Sequence, residues 1–129
     1  MTIELKMLAW AGVLGLAQIM LAAAAVTRER GTAWNASARD GQAPPPGKLA
    51  GRLLRAQSNF LETFPIFAAA ALAVVFAGKA DGQTAVAAQL YFWARLAYVP
   101  LYAAGIPYVR SLVWLGSLAG IVMLLAALL

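Results

Sequence analysis

The sequence contains no cysteine and no histidine. Without cysteine there is no disulfide framework, no thiolate-ligated zinc or iron–sulfur site and no protein thiol nucleophile. Without histidine the commonest metal ligand and the commonest general base are gone, which closes Ser-His and Cys-His hydrolysis and HExxH zinc chemistry. No metal site is expected, and any thiol chemistry has to arrive with a bound molecule. Charge is scarce too: 12% of the 129 residues are charged, against about 25% in soluble domains. Acids are the rarer sign, five against ten bases, for a net charge of +5.

What the chain has instead is apolar residues, 63% of the total, with a mean hydropathy of +0.75. So little polar surface cannot cover a single core of this length, so the missing solvent is lipid. The cations stand beside apolar runs and not along one extended face. That distribution points to membrane topology and a small anionic ligand, and away from nucleic acid.

A span needs about 20 mostly apolar residues. Four segments approach that length, predicting helices over about 4–26, 48–78, 83–105 and 110–129 of a single 1–129 domain. The fold class expected is all-α, an integral-membrane four-helix bundle running up and down. The first run is interrupted only by Lys6 and Gln18, and it is too long for a signal-peptide core, so it is read as retained. Pro65 lies inside the second run, where neighbours in lipid can satisfy the freed carbonyl and a kink is expected. Turns are expected at Lys79-Ala80-Asp81-Gly82 and at Ile106-Pro107-Tyr108. A basic loop over 27–47 carries Trp34, Asn35 and Gly41, then Pro44-Pro45-Pro46 as a short stiff polyproline piece. Abundant alanine allows close helix approach in a bilayer.

Arg28, Arg30, Arg39, Lys48, Arg52 and Arg110 fall on one side of these spans, with Arg55 just inside the second; Lys6 and Lys79 fall on the other. The first loop is therefore expected in the cytoplasm and both termini opposite, in a bacterial inner membrane or a eukaryotic endomembrane.

A charge at the centre of a span costs about 2.5 to 3.5 kcal/mol, so charged residues there need a reason. Arg52, Arg55, Asn59 and Glu62 follow one another at helical spacing and share a face, while Gln57 points elsewhere, toward a neighbouring chain. Arg95, Tyr98 and Tyr102 repeat the pattern in the third run, and Arg110 and Ser111 open the fourth. In an up-and-down bundle these stripes converge in a cup suited to a ligand with several carboxylates and one ammonium. Arginine forks pair the carboxylates, and Glu62 and Asn59 receive an ammonium or peptide N–H. The competing reading pairs Glu62 with Arg55 or Arg95 to hold helices together and leaves Arg110 on a lipid phosphate. The excess of cation over acid favours a bound anion. Tyr91, Phe92, Trp93 and Trp114 are assigned to lipid or helix packing, and Arg28 and Arg30 to topology.

The stretch Arg55-Ala56-Gln57-Ser58-Asn59-Phe60-Leu61-Glu62-Thr63-Phe64-Pro65 carries an RxxxNxxExxP core, and Ala94-Arg95-Leu96-Ala97-Tyr98 is followed by Tyr102 and Arg110-Ser111. Together they resemble the MAPEG family, the membrane-associated proteins in eicosanoid and glutathione metabolism, over nearly the whole chain. The resemblance implies a homotrimer with glutathione as co-substrate, held at subunit boundaries on the cytoplasmic side. It implies glutathione contacts from Arg55, Asn59, Glu62, Tyr98 and Tyr102, with Gln57 reaching in from the neighbouring chain and Arg110 activating the thiol. Arg28 or Arg30 matches a first-helix arginine only loosely, and Thr63 stands where some members carry tyrosine. Catalysis would then rest on Arg110 as the cation beside a thiolate, with Ser111 or a tyrosine donating a hydrogen bond. The expected activity is transfer to lipophilic electrophiles, reduction of hydroperoxides, or both; the alternative is a non-catalytic lipid-binding scaffold resembling the lipoxygenase-activating protein. No broken-helix pair at matching positions suggests a transporter.

Overall fold

Helix α1 (Ile3–Arg30) begins where the Thr2 hydroxyl accepts the Leu5 N–H at 3.3 Å, and it ends with Arg28 and Arg30 in its last turn, cations matched to the negative end of the helix dipole. The computed structural model describes residues 1–41 and 45–129. Among these, four more helices follow: α2 (Thr32–Ala36), α3 (Lys48–Phe76), α4 (Gly82–Ala103) and α5 (Pro107–Leu128), with no strand. The loop expected over 27–47 is thus corrected, since α1 runs to Arg30 and α2 occupies part of the remainder. At 28 residues α1 is about 42 Å long, more than the hydrocarbon thickness, and falling hydropathy past Val26 marks the lipid boundary without ending the helix. Of the proline triplet, Pro44 lies outside the described residues.

Helices α3 and α4 end alike. Gly78 and Gly105 adopt φ of 71° and 76°, and the next residues reach back, Lys79 N–H to Val74 O at 3.0 Å and Ile106 N–H to Leu101 O at 3.1 Å. A side chain with a Cβ resists this conformation, so both turns require glycine. Pro65 and Pro100 lie within α3 and α4 without ending them. Pro107 is the first residue of α5, where its missing N–H costs nothing, so the helix starts three residues before the expected Arg110. Asp81 and Thr84 form a reciprocal cap at the start of α4, and the Thr84 hydroxyl donates to the buried Glu4 carboxylate at 2.6 Å. That bond fixes the beginnings of α1 and α4 at one end of the molecule.

Packing is inverted relative to a water-soluble protein. The interior is built largely on small residues such as Ala11, Ala22, Ala50, Ala56, Ala71 and Ala87, around a few rings, while Trp10, Leu16, Met20, Trp93, Leu112 and Val122 are exposed. Small residues inside and large apolar residues outside is what lipid solvation selects. Phe67 stacks on Tyr91 with centroids 4.0 Å apart, and the Tyr91 hydroxyl lies 3.0 Å from that of Thr63. At Gly120 an added Cβ would sit 2.6 Å from the Ala87 carbonyl oxygen, so α4 and α5 touch backbone to backbone.

Helices α1, α3 and α5 are long and apolar enough to cross a membrane by length and composition. Helix α4 has 22 residues but falls short on hydropathy; Gln83, Gln89, Arg95 and its tyrosines lower the mean, and Tyr91, Arg95 and Tyr98 are buried against neighbours. The protein is an integral membrane protein. Replacing Gly120 with Val is expected to force α4 and α5 apart and destabilise the fold by about 1 to 3 kcal/mol. Thermal unfolding in detergent, compared with Gly116→Val where no atom lies within 4 Å of the added Cβ, is the measurement.

Candidate functional site

The first half of α3, the last turns of α4 and the first turns of α5 meet at one end of the molecule. Between them lies a cavity of about 320 Å³ lined by Arg55, Asn59, Tyr98, Tyr102, Arg110, Ser111 and Trp114. Arg55 and Asn59, Tyr98 and Tyr102, and Arg110 and Trp114 each stand four residues apart on one helix face, with Ser111 beside Arg110.

Tyr102 is the centre of this arrangement. Arg55 donates from Nε to the Tyr102 hydroxyl at 3.1 Å, and the Arg110 guanidinium lies over the ring, 4.6 Å from its centroid. Tyr98 leans on Tyr102 with centroids 5.5 Å apart. Because the Tyr102 oxygen accepts from Arg55, its own proton is left to donate elsewhere. The Ser111 hydroxyl instead donates back to the Pro107 carbonyl at 3.2 Å, within its own helix.

Arg95 does not line the cavity. It is 1% exposed, donates from Nη1 to Asn59 Oδ1 at 2.8 Å, and lies over the Tyr98 ring at 4.3 Å and the Phe60 ring at 5.6 Å. Its Nε and Nη2 have no hydrogen-bond partner among the described residues. Fixing the Asn59 oxygen turns the amide nitrogen of Asn59 away from Arg95, so Arg95 sets the orientation of that amide.

Three other sequence candidates fall outside the cavity. Arg52 donates to the Ala103 carbonyl at 3.2 Å and packs on Gly105, where an added Cβ would lie 2.8 Å from the guanidinium; it closes the end of α4. Glu62 is exposed and is not among the lining residues, so among the described residues the hollow has two guanidiniums and no carboxylate in its lining. Gln57 faces a different cavity, also about 320 Å³, together with Arg30, Trp34, Asn35, Arg39 and Leu54. There Arg30 and Arg39 flank the Trp34 ring at 4.8 and 5.6 Å.

Trp114, assigned from the sequence to lipid or helix packing, borders the cavity. Its indole Nε1 is buried without a hydrogen-bond partner among the described residues, and the residue lines the cavity. The signal was present: Trp114 stands four residues after Arg110 and three after Ser111, on the same face of α5.

Two cations, two phenols, an amide nitrogen and an indole N–H, all donors or cations, describe a hollow complementary to an anion. Among the described residues no cluster of acidic side chains is positioned to hold a metal ion. In comparison with known proteins, the model of the MAPEG family matches residues 7–129. No curated protein matches the chain.

Since Trp114 borders the hollow, its fluorescence should report occupancy. A small dicarboxylate ligand is expected to change the emission of the native protein and of Trp34→Phe, and to leave Trp114→Phe nearly silent. An equal response from Trp114→Phe would place the binding event elsewhere.

Proposed function

The chain belongs to the MAPEG family, and on that premise we propose that it binds glutathione in the α3–α4–α5 cavity and uses its thiol against lipophilic substrates from the bilayer. Family membership itself carries a membrane function in glutathione or lipid metabolism. The observation supporting the finer reading is the Arg55–Tyr102–Arg110 stack on the wall of an otherwise open hollow. Were these cations present only to fasten helices, the economical partner would be a carboxylate, and Glu62 lies outside.

Arg55 pairs a glutathione carboxylate, and the Asn59 amide nitrogen donates to a second acceptor on the tripeptide. Arg110 is the cation nearest the start of α5, and it stabilises the thiolate over the thiol. Tyr102 donates its free proton to the sulfur in place of Ser111, whose hydrogen is engaged with Pro107. In transfer, the thiolate forms a C–S bond at an electrophilic carbon while the departing group or opened epoxide oxygen takes a proton. In peroxide reduction, the thiolate attacks the distal oxygen, the O–O bond breaks and the departing alkoxide takes a proton, giving an alcohol and a glutathione sulfenic acid; a second glutathione then yields the disulfide and water. The protein supplies position and charge, and the sulfur supplies the reaction.

A hollow of about 320 Å³ is at the small end for a ligand site. We therefore include a neighbouring copy in the proposal: its Gln57 and Arg30, gathered on the opposite face of the chain, close the site in a homotrimer of up-and-down four-helix subunits. The first loop then lies in the cytoplasm with the glutathione pool, and both termini on the other side.

Addition of glutathione at neutral pH is expected to produce the ultraviolet absorbance of thiolate. In Arg110→Ala the thiol loses its stabilising cation, its pKa rises toward the free value of about 8.5, and the signal appears only at higher pH. An unchanged signal removes Arg110 from that role. Arg55→Ala is expected to weaken glutathione affinity by about tenfold in titration calorimetry, the loss of one charge-assisted pair. No binding by the native protein at millimolar glutathione would instead favour a lipid-binding scaffold.

A further inference from the structure

Leu14, Ala17, Leu21, Ala24 and Arg28 step along one face of α1 at spacings of three and four. Two cavities lie against this face and share Leu21. The lower, about 470 Å³, has Trp93, Leu96 and Pro100 of α4 as its far wall. The upper, about 570 Å³, is walled by Leu49, Ala50 and Leu53 of α3, with Arg28 and Glu29 at its rim. From Leu14 to Arg28 the groove follows α1 for about 21 Å, well over half of a hydrocarbon core. It shares no lining residue with the α3–α4–α5 cavity.

We propose that this groove binds an anionic glycerophospholipid, one acyl chain lying along α1 and the phosphate at Arg28. Its walls are apolar and stepped with alanine, and both Ala17 and Ala24 are exposed, so the space opens to lipid. Arg28 follows the last apolar turn of α1 and stands at headgroup depth. Glu29, the one carboxylate at the rim, is turned to the Gly47 N–H, which it accepts at 2.9 and 3.2 Å. Lys48 opens α3 next to Gly47 and brings a second cation to the same mouth. A phosphatidylcholine headgroup would bring an ammonium up to Arg28 and Lys48, whereas a phosphatidylglycerol headgroup brings only the phosphate. The charge at the mouth therefore selects among lipids that the apolar groove alone would accept equally.

Gln18 tests how the occupant is held. It lines the lower cavity, is 3% exposed, and neither atom of its amide has a hydrogen-bond partner among the described residues. It lies about 15 Å below Arg28 along α1, at a depth where a phospholipid presents only methylenes. An acyl chain asks nothing of that amide, so Gln18→Leu should bind the lipid at least as well as the native protein.

The experiment is native mass spectrometry of the full chain in mild detergent, equilibrated with phosphatidylglycerol or phosphatidylcholine of matched chains. Retention of phosphatidylglycerol over phosphatidylcholine is expected. Arg28→Gln should lower that retention by about tenfold, through loss of the phosphate pair. Ala24→Leu should lower it by filling the groove from an exposed position, leaving the thermal unfolding of the protein unchanged. Equal retention of the two lipids, or retention indifferent to both variants, overturns the proposal. So does a loss in Gln18→Leu with none in Arg28→Gln, which would mark an occupant held by a polar group at mid-groove. Disulfide formation between copies of Ala24→Cys would show a second chain in the groove and overturn it equally.

Discussion

Lipid offers no partner to a guanidinium, so each cation of this chain must reach a headgroup or find satisfaction inside the protein. Arg95 takes the second course. It is buried at the centre of the molecule with its charge spread over the Tyr98 and Phe60 rings and one donor on Asn59. Holding it there fixes the spacing of α3 and α4, fixes Asn59, and sets Tyr98 at the back of the cavity. Its Nε and Nη2, without hydrogen-bond partners among the described residues, are a standing cost, and they keep the interior between the helices polar there.

The opposite economy governs the rest of the interior. Because large apolar side chains lose nothing by facing lipid, the inside is left to alanine and glycine, and the helices approach until backbone meets side chain or backbone. Gly120 against Ala87 and Gly15 against the Phe60 ring are two such contacts, the latter 2.8 Å from an added Cβ. Open space remains where α3, α4 and α5 border the cavity, and again along α1.

The cavity between α3, α4 and α5 has an ordering of its own. Tyr102 holds Arg55 through its oxygen and Arg110 through its ring face, two attachments on different parts of one side chain. Two like charges are thereby kept near each other without a carboxylate between them. That arrangement stores positive potential where an anion can enter, and it explains why a phenol and not an aliphatic residue is required at this position.

Much of this was written in the chain. The lack of histidine and cysteine, the apolar runs, and the spacing of Arg55, Asn59, Tyr98, Tyr102 and Arg110 depend only on local periodicity, because residues three or four apart on a helix must share a face. Periodicity does not say how far a helix is rotated about its axis. That rotation, set by which small residues touch, is what turned Glu62 and Arg52 out of the cavity, set Arg95 behind it, and brought Trp114 in. Nor does hydropathy say where a helix stops: α1 continues past the apolar boundary because its backbone hydrogen bonds are made within the helix and need no apolar surroundings. Composition and spacing thus determined the solvent, the long apolar helices and which residues share a helix face. The tertiary structure alone decided which residues of each stripe meet, since that is settled by contacts between helices far apart in sequence.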